Sequence, residues 1–191
     1  MVKDRKQLII DAATKSFSLF GYKATTMDQV AKLANVGKGT IYTFFKNKEE
    51  LFDEITSSLI AEMKEAAEEA IDPTLRFYEN AHRALYKILE FRKRHQLMIK
   101  LIEEENQIGT PAVQEAMVKL EDAIIGFIKQ KIIVAIDKKE MRNCDPEMTA
   151  FIFLKLYIAL IFDWEKNHEP LGKEQILHLF ELYFLEGLSI R

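Results

Sequence analysis

Residues 26–42 (Thr-Met-Asp-Gln-Val-Ala-Lys-Leu-Ala-Asn-Val-Gly-Lys-Gly-Thr-Ile-Tyr) leave the backbone few choices: they encode two short helices joined by a sharp turn. Thr26 followed three residues later by Gln29 has the reciprocal pattern of a capping box, which predicts a helix start there. Val30, Ala31 and Ala34 recur at helical spacing and give that helix an inward face. Asn35-Val36-Gly37 then breaks it, since Asn and Gly tolerate left-handed backbone and Val36 can plug the angle between the helices. The second helix carries Lys38, Thr40, Tyr42 and Thr43 outward. Ile41 and Phe45, four apart, share its inward face, and Phe44 adds a further apolar group. A short helix with basic and hydroxyl groups on one side is built to enter a DNA major groove.

Charge points the same way. Residues 1–48 hold nine Lys or Arg and three acids, a surplus of six positive charges. The remaining residues hold 18 bases and 27 acids, so the overall charge of −3 conceals a basic end on an acidic body. That asymmetry implies that one end meets a polyanion and the other does not. The alternative, a chance charge run on a solvated face, is weakened because the charge coincides with the helix-turn-helix.

The run Ile10-x-Ala12-Ala13-x3-Phe17-x2-Phe20-Gly21-Tyr22, then Thr25-Thr26, resembles the start of the DNA-binding domain of TetR-family transcriptional repressors. The similarity continues through Val30-Ala31-x2-Ala34-x-Val36-x-Lys38-Gly39-Thr40-Ile41-Tyr42-x2-Phe45-x-Asn47-Lys48-Glu49-Glu50-Leu51. It is dense over about the first 55 residues; beyond them only length and helical character match. The resemblance implies that Thr26, Thr40, Tyr42 and Lys48 contact phosphates, and that Lys38, Gly39 and Thr43 meet base edges. It also implies repression, a divergent effector-binding body and a dimer. The residues themselves are compatible with these roles. The bare Gly39 admits close approach, Tyr42 and Thr40 carry hydroxyls for phosphate oxygens, and Lys48 opens the next helix. Ordinary packing remains the other reading of Tyr42 and Thr40. Asp28 receives no DNA contact, because its charge suits the positive end of its helix. Lys3, Arg5 and Lys6 are either a flexible arm for a minor groove or the solvated start of the first helix, with the second preferred.

The length allows a helix-turn-helix domain over 1–48 and one larger helical domain over 49–191. The expected fold is all-α, with about nine helices, no strand and no internal repeat. Asn47 with Glu50 predicts a helix from there to about residue 71. Asp72-Pro73 predicts the start of another reaching about His95. A short helix is expected over 96–106, one opened by Gly109-Thr110-Pro111 to about 137, one from Asp145-Pro146 to about 170, and a last one over 173–188. The longest apolar run, 150–162, is interrupted by Lys155 and is too short for the roughly 20 residues of a membrane span. The first residues show no signal-peptide pattern. With a single cysteine, Cys144, an internal disulfide and a cysteine-rich metal site are excluded. The chain therefore reads as a cytoplasmic protein, with no membrane partner, cofactor or metal expected.

In the body, Leu75, Tyr78, His82, Leu85 and Leu89 fall on one stripe. His82 is either an effector contact or a core histidine satisfied by a carbonyl, and the core reading is preferred. Phe77, Tyr86, Met98, Phe127 and Tyr157 either line a mostly apolar effector pocket with polar tips or are plain core. Lys155 is read as an interface-edge lysine before an effector contact, and Glu103-Glu104-Glu105 as a solvated helix end. The last two helices are apolar nearly all round, more than one monomer core requires, which predicts a homodimer through four helices. His82, His95, His168 and His178 lack metal-ligand spacing, and neither a phosphate loop nor a nucleophile elbow occurs. The reading that follows is a homodimeric repressor on a double-stranded DNA operator, released by a small, largely apolar effector. The alternative is a helical DNA-binding protein without such an effector, regulated by a protein partner. An enzyme in the body lacks any catalytic constellation to support it.

Overall fold

In the computed structural model, which describes residues 4–90 and 96–185, nine α-helices form and no strand does among the described residues. They are α1 (Arg5–Ala24), α2 (Met27–Leu33), α3 (Lys38–Phe44), α4 (Lys48–Ala70), α5 (Phe77–Glu90), α6 (Gln96–Gln107), α7 (Pro111–Asp137), α8 (Pro146–Ile158) and α9 (Lys173–Phe180). A π-helical turn (Ala159–Asp163) and a 3-10 turn (Trp164–Lys166) continue α8, and a second π turn (Glu181–Leu185) continues α9. His95, Lys3 and the end expected at Leu188 lie outside the described residues.

Local chemistry explains the helix starts. Asn47 Oδ1 accepts the Glu50 N–H at 2.7 Å, and Asp145 Oδ1 accepts the N–H groups of Glu147 and Met148 at 2.9 Å. One expected start moves. Asp72-Pro73 does not open α5, because the Asp72 carboxylate takes the backbone N–H and hydroxyl of Thr74 and the Leu75 N–H closes onto the Asp72 carbonyl. These bonds make a turn instead of a helical cap. Asn80 then ties the turn to α5 by accepting from the Asp72 N–H and donating to the carbonyls of Asp72 and Leu75.

The chain divides into two compact units: Met1–Ala61 with Lys93–Leu120, and Glu62–Arg92 with Glu121–Arg191. The division expected after residue 48 falls in the first turn of α4, and the unit holding the helix-turn-helix also takes in α6 and the start of α7. Its core is built from Ile9, Ala13 and Phe17 of α1, Val30 of α2, Ile41 of α3, Leu51 and Phe52 of α4, Leu97 and Leu101 of α6 and Val113 of α7. Phe17 and Phe52 meet edge to face at 5.4 Å, and Tyr22 stacks obliquely on Phe52 at 4.6 Å. The second unit packs Ile132, Ala135, Met141 and Ala150 together with Phe77 and Ile128, while Phe153 meets Phe180 and Phe184 at 4.8 and 5.3 Å.

Phe184 is therefore buried within its own unit, at 7% exposure, and Tyr183 beside it is 72% exposed. Met148, Phe151, Ile152 and Leu182 are exposed as well. Lys155 pairs with Glu121 at 2.8 Å and lies over the Phe151 ring. Arg5 and Lys6 sit in the first turn of α1, where Lys6 pairs with Glu54 at 2.6 Å, so these two do not form an arm.

Candidate functional site

Two turns, each closed by local bonds, deliver α3. At the start of α2, the Thr26 hydroxyl accepts the Gln29 N–H at 3.3 Å and the Gln29 amide oxygen accepts the Thr26 N–H at 2.9 Å. At its end, the Val36 N–H reaches back to the Ala31 carbonyl and the Asn35 N–H to that of Lys32, with Asn35 at φ 53°. This is a Schellman closure with asparagine in the left-handed position. Gly37 is extended and caps α3. Val36 packs against the core from the turn, as its place between the helices predicts.

On α3, Ile41 and Phe45 face inward at 0% and 2% exposure. Lys38, Gly39, Tyr42 and Thr43 are exposed and Thr40 is half-buried. A Cβ added at Gly39 would meet nothing within 4 Å, so the surface above it is open. The Thr43 hydroxyl donates to the Thr40 carbonyl at 2.6 Å. Lys38 is not idle: its ammonium pairs with Asp28 of α2 at 2.9 Å, which raises its pKa through the hydrogen bond and the charge. The pairing places Asp28, read from the sequence as a helix-end charge with no DNA contact, beside a base-reading candidate.

Lys48 stands at the start of α4 with its ammonium directed at α1. It donates to the carbonyls of Tyr22 and Thr25, each at 2.9 Å, and lies 4.1 Å from the Tyr22 ring centroid. Burial pulls its pKa below the usual lysine value. An ammonium has three protons, so one remains beyond the two carbonyls. The Tyr22 hydroxyl donates to Glu49 at 2.8 Å. Burial first, then that carboxylate, pushes the phenol up, and the same hydrogen bond holds Glu49 below its ordinary range.

Glu104 overturns the expectation of a solvated acidic helix end. It is 5% exposed, and its carboxylate accepts the Lys23 N–H and the Thr110 hydroxyl. Its neighbours Glu103 and Glu105 gave the run a solvated appearance. The available signal was Gly21, in a helix that otherwise continues to Ala24, where a bare Cα invites a close neighbour.

The effector candidates fall in both units. Met98 is buried in the unit that holds the helix-turn-helix, while Phe77, His82, Tyr86, Phe127 and Tyr157 belong to the second unit. His82 and Tyr86 share an open cleft of about 360 Å³ with Glu69, Ala70, Arg83 and Lys87. Arg83 donates to the Ala70 carbonyl at 2.8 Å, and the Lys173 ammonium lies 3.2 Å from the Tyr86 ring centroid. Phe77 packs in the core and its N–H meets Glu140; Phe127 lies under Lys131. Tyr157 is half-buried. Among the described residues no group of three His, Cys, Asp or Glu could hold a metal, and no helix is long and apolar enough to cross a membrane.

Residues 9–55 match the family of bacterial regulatory proteins described as tetR. Over 186 residues the chain is 66% identical to the HTH-type transcriptional regulator YhgD of Bacillus subtilis, covering 97% of each. The fold is similar to the fatty acid degradation regulator FadR of Bacillus halodurans, with a TM-score of 0.78 at 14% identity over 97% of this chain and 98% of that one. It is also similar to the SmeT–triclosan complex, with a TM-score of 0.80 at 16% identity over 97% and 92%.

Proposed function

Since the chain belongs to the TetR family of regulatory proteins, and is thus a DNA-binding transcriptional regulator and not an enzyme, we propose that it is a homodimeric repressor released from its operator by a small, largely apolar effector. The observation that carries the DNA half is α3. Its outward face bears Lys38, Tyr42 and Thr43 around the open surface at Gly39, while Ile41 and Phe45 anchor it from behind. In this reading Lys38, Gly39 and Thr43 meet base edges. Thr26, Thr40, Tyr42 and the third proton of Lys48 meet phosphates. Base contacts then specify, and phosphate contacts position.

A second copy of the chain is the partner that the exposed apolar side chains fit. Met148, Phe151 and Ile152 on α8 and Leu182 and Tyr183 after α9 present large apolar groups to solvent on the two helices expected to pair. A two-fold dimer offers two α3 helices to two half-sites about 34–36 Å apart or a multiple of that. For the effector, the cleft beside His82 and Tyr86 offers the Tyr86 ring and Ala70 among the polar side chains of Glu69, His82, Arg83 and Lys87, so an effector seated there would carry polar groups beside its apolar part. Phe77, Met98, Phe127 and Tyr157 remain in the proposal only as groups that an opened body would expose. Effector and DNA each favour a different spacing of the two α3 helices, so by linkage each weakens the other.

The test begins with a duplex selected by the protein from a random double-stranded library. Its affinity should fall by about 10³–10⁵ between roughly 50 and 200 mM salt, as expected when about 6–10 phosphates are neutralised per dimer. A flat salt dependence would refute the electrostatic reading. A small-molecule library is then screened by thermal shift, and each hit is titrated against the complex. A hit should lower duplex affinity by about 5–150-fold. If no hit does so, while a protein captured on the dimer releases the duplex, regulation by a protein partner replaces the effector.

A further inference from the structure

Residues 21–25, the kinked last turn of α1 and its cap, hand the chain to α2, and the backbone of this turn is gripped from two other helices. Lys48 of α4 binds the carbonyls of Tyr22 and Thr25. Glu104 of α6 binds the N–H of Lys23 with both oxygens, at 3.0 and 3.2 Å. A cation thus holds the carbonyls of the turn and an anion holds its N–H. The inner side is closed by the chain itself: the Thr25 hydroxyl donates to the Gly21 carbonyl and meets Ser16 at 2.9 Å.

A buried carboxylate is costly unless its oxygens are satisfied, and an apolar residue would fill the same space at less cost. Among the described residues Glu104 is satisfied by two donors, the Lys23 N–H and the Thr110 hydroxyl at 2.8 Å. The fit also constrains the opposite side. Gly21 has φ +82°, and a Cβ there would stand 2.6 Å from Glu104 Oε2. Gly21 is therefore required both by its backbone and by the carboxylate above it.

We propose that Glu104 is a positioning residue for operator binding: seated against Gly21, it fixes the turn 21–25 from α6 and thereby sets where Thr26 and α2 carry the reading helix. Nearby bonds make the turn a poor absorber of error. Thr26 follows directly and caps α2, whose Schellman closure leads without slack into α3. A displacement at Lys23 is passed on to the whole helix-turn-helix. Specific binding needs that geometry, whereas non-specific binding needs mainly the positive charge.

The test compares Glu104→Ala, Glu104→Gln and Gly21→Ala in the full chain, on the library-selected duplex and on a shuffled duplex of equal length. Circular dichroism at the assay temperature confirms that each variant is folded. Glu104→Ala should lose about tenfold or more on the selected duplex, because the loosened turn must be re-ordered on binding at a cost comparable to the lost hydrogen bond to a charged group. On the shuffled duplex it should change by less than about threefold. Glu104→Gln keeps a carbonyl oxygen for the Lys23 N–H and should recover most of the loss. Gly21→Ala should lose on the selected duplex too, and the double variant should lose less than the product of the singles, because removing the carboxylate relieves the clash with the added Cβ. Parent-like affinity of Glu104→Ala, equal losses on both duplexes, or no recovery in Glu104→Gln would each overturn the proposal. If Glu104→Ala does not fold, Glu104→Asp carries the same test. It keeps the charge but withdraws the oxygens by one methylene, and loss confined to the selected duplex is again the expected result.

Discussion

Replacing Lys48 by alanine removes two contacts of different kinds, and the structure sets the size of each. Hydrogen bonds from a charged group contribute about 1.5–3 kcal/mol apiece, and the ammonium makes two, to Tyr22 and Thr25. Its position over the Tyr22 ring adds about 0.5–1 kcal/mol. Against these stands the desolvation that lowers its pKa, and its half-exposed stem allows water to compensate part of the loss. The net cost should be about 2 kcal/mol. For a chain of this size that is a fall of about 4–8 °C in Tm. If the third proton also reaches a phosphate, the salt slope of DNA binding should drop by about two per dimer, one counterion per subunit. The loss should be similar on all sequences, since a phosphate contact does not specify. Differential scanning calorimetry and salt-dependent anisotropy titrations measure the two effects separately. An unchanged Tm would refute the capping of α1. A lowered Tm with the parent's salt slope would refute the phosphate contact and leave Lys48 a purely structural residue.

Three further outcomes follow from particular contacts. Tyr22→Phe should cost about 0.5–1.5 kcal/mol at neutral pH and also flatten the alkaline arm of stability. The folded pKa of Tyr22 is raised, so its contribution is full below the unfolded value of about 10 and is lost as pH rises toward the folded one. Thermal melts from neutral to strongly alkaline pH check this, and identical alkaline arms in both proteins would contradict it. Tyr183→Glu should shift the chain from dimer to monomer in sedimentation without unfolding it, because Tyr183 is exposed. Phe184→Glu should instead unfold the second unit, since Phe184 packs on Phe153; an intact dimer in Tyr183→Glu places the interface elsewhere. Asp28→Asn frees Lys38 and, with α3 on DNA as proposed, removes a nearby negative charge, so affinity should rise for all duplexes while discrimination at the base pair that Lys38 is proposed to read weakens. Position-by-position scanning of the selected duplex reads this, and unchanged discrimination argues against the pair as a restraint on Lys38.

Much of the helix-turn-helix was legible in the sequence because its bonds are local. Thr26 finds Gln29 three residues away and Asn35 finds Lys32 at the same distance, so residue type and spacing alone define the cap and the left-handed turn. The inward pair Ile41 and Phe45 followed from helical period, and the basic end from counting. Asp72-Pro73 misled because the same side chain serves a helix cap and a turn. The deciding partners were Thr74 nearby and Asn80 on α5, and no pattern ranks those competing bonds in advance.

What only tertiary structure decided was where long-range partners sit. The Lys48 ammonium turns to Tyr22, 26 residues away, and the Glu104 carboxylate to Lys23, 81 residues away. Read along the chain, one looked like a free phosphate ligand and the other like a solvated acid. An apolar helix likewise does not say which of its faces the monomer uses: Phe184 went inward and Tyr183 outward. The sequence by itself determined the local folding code, the all-helical class and the charged reading end, since these depend on neighbours a few residues apart. The grip on the turn 21–25, the division into units and the exposed apolar faces depend on which distant surfaces meet, and packing alone settles that.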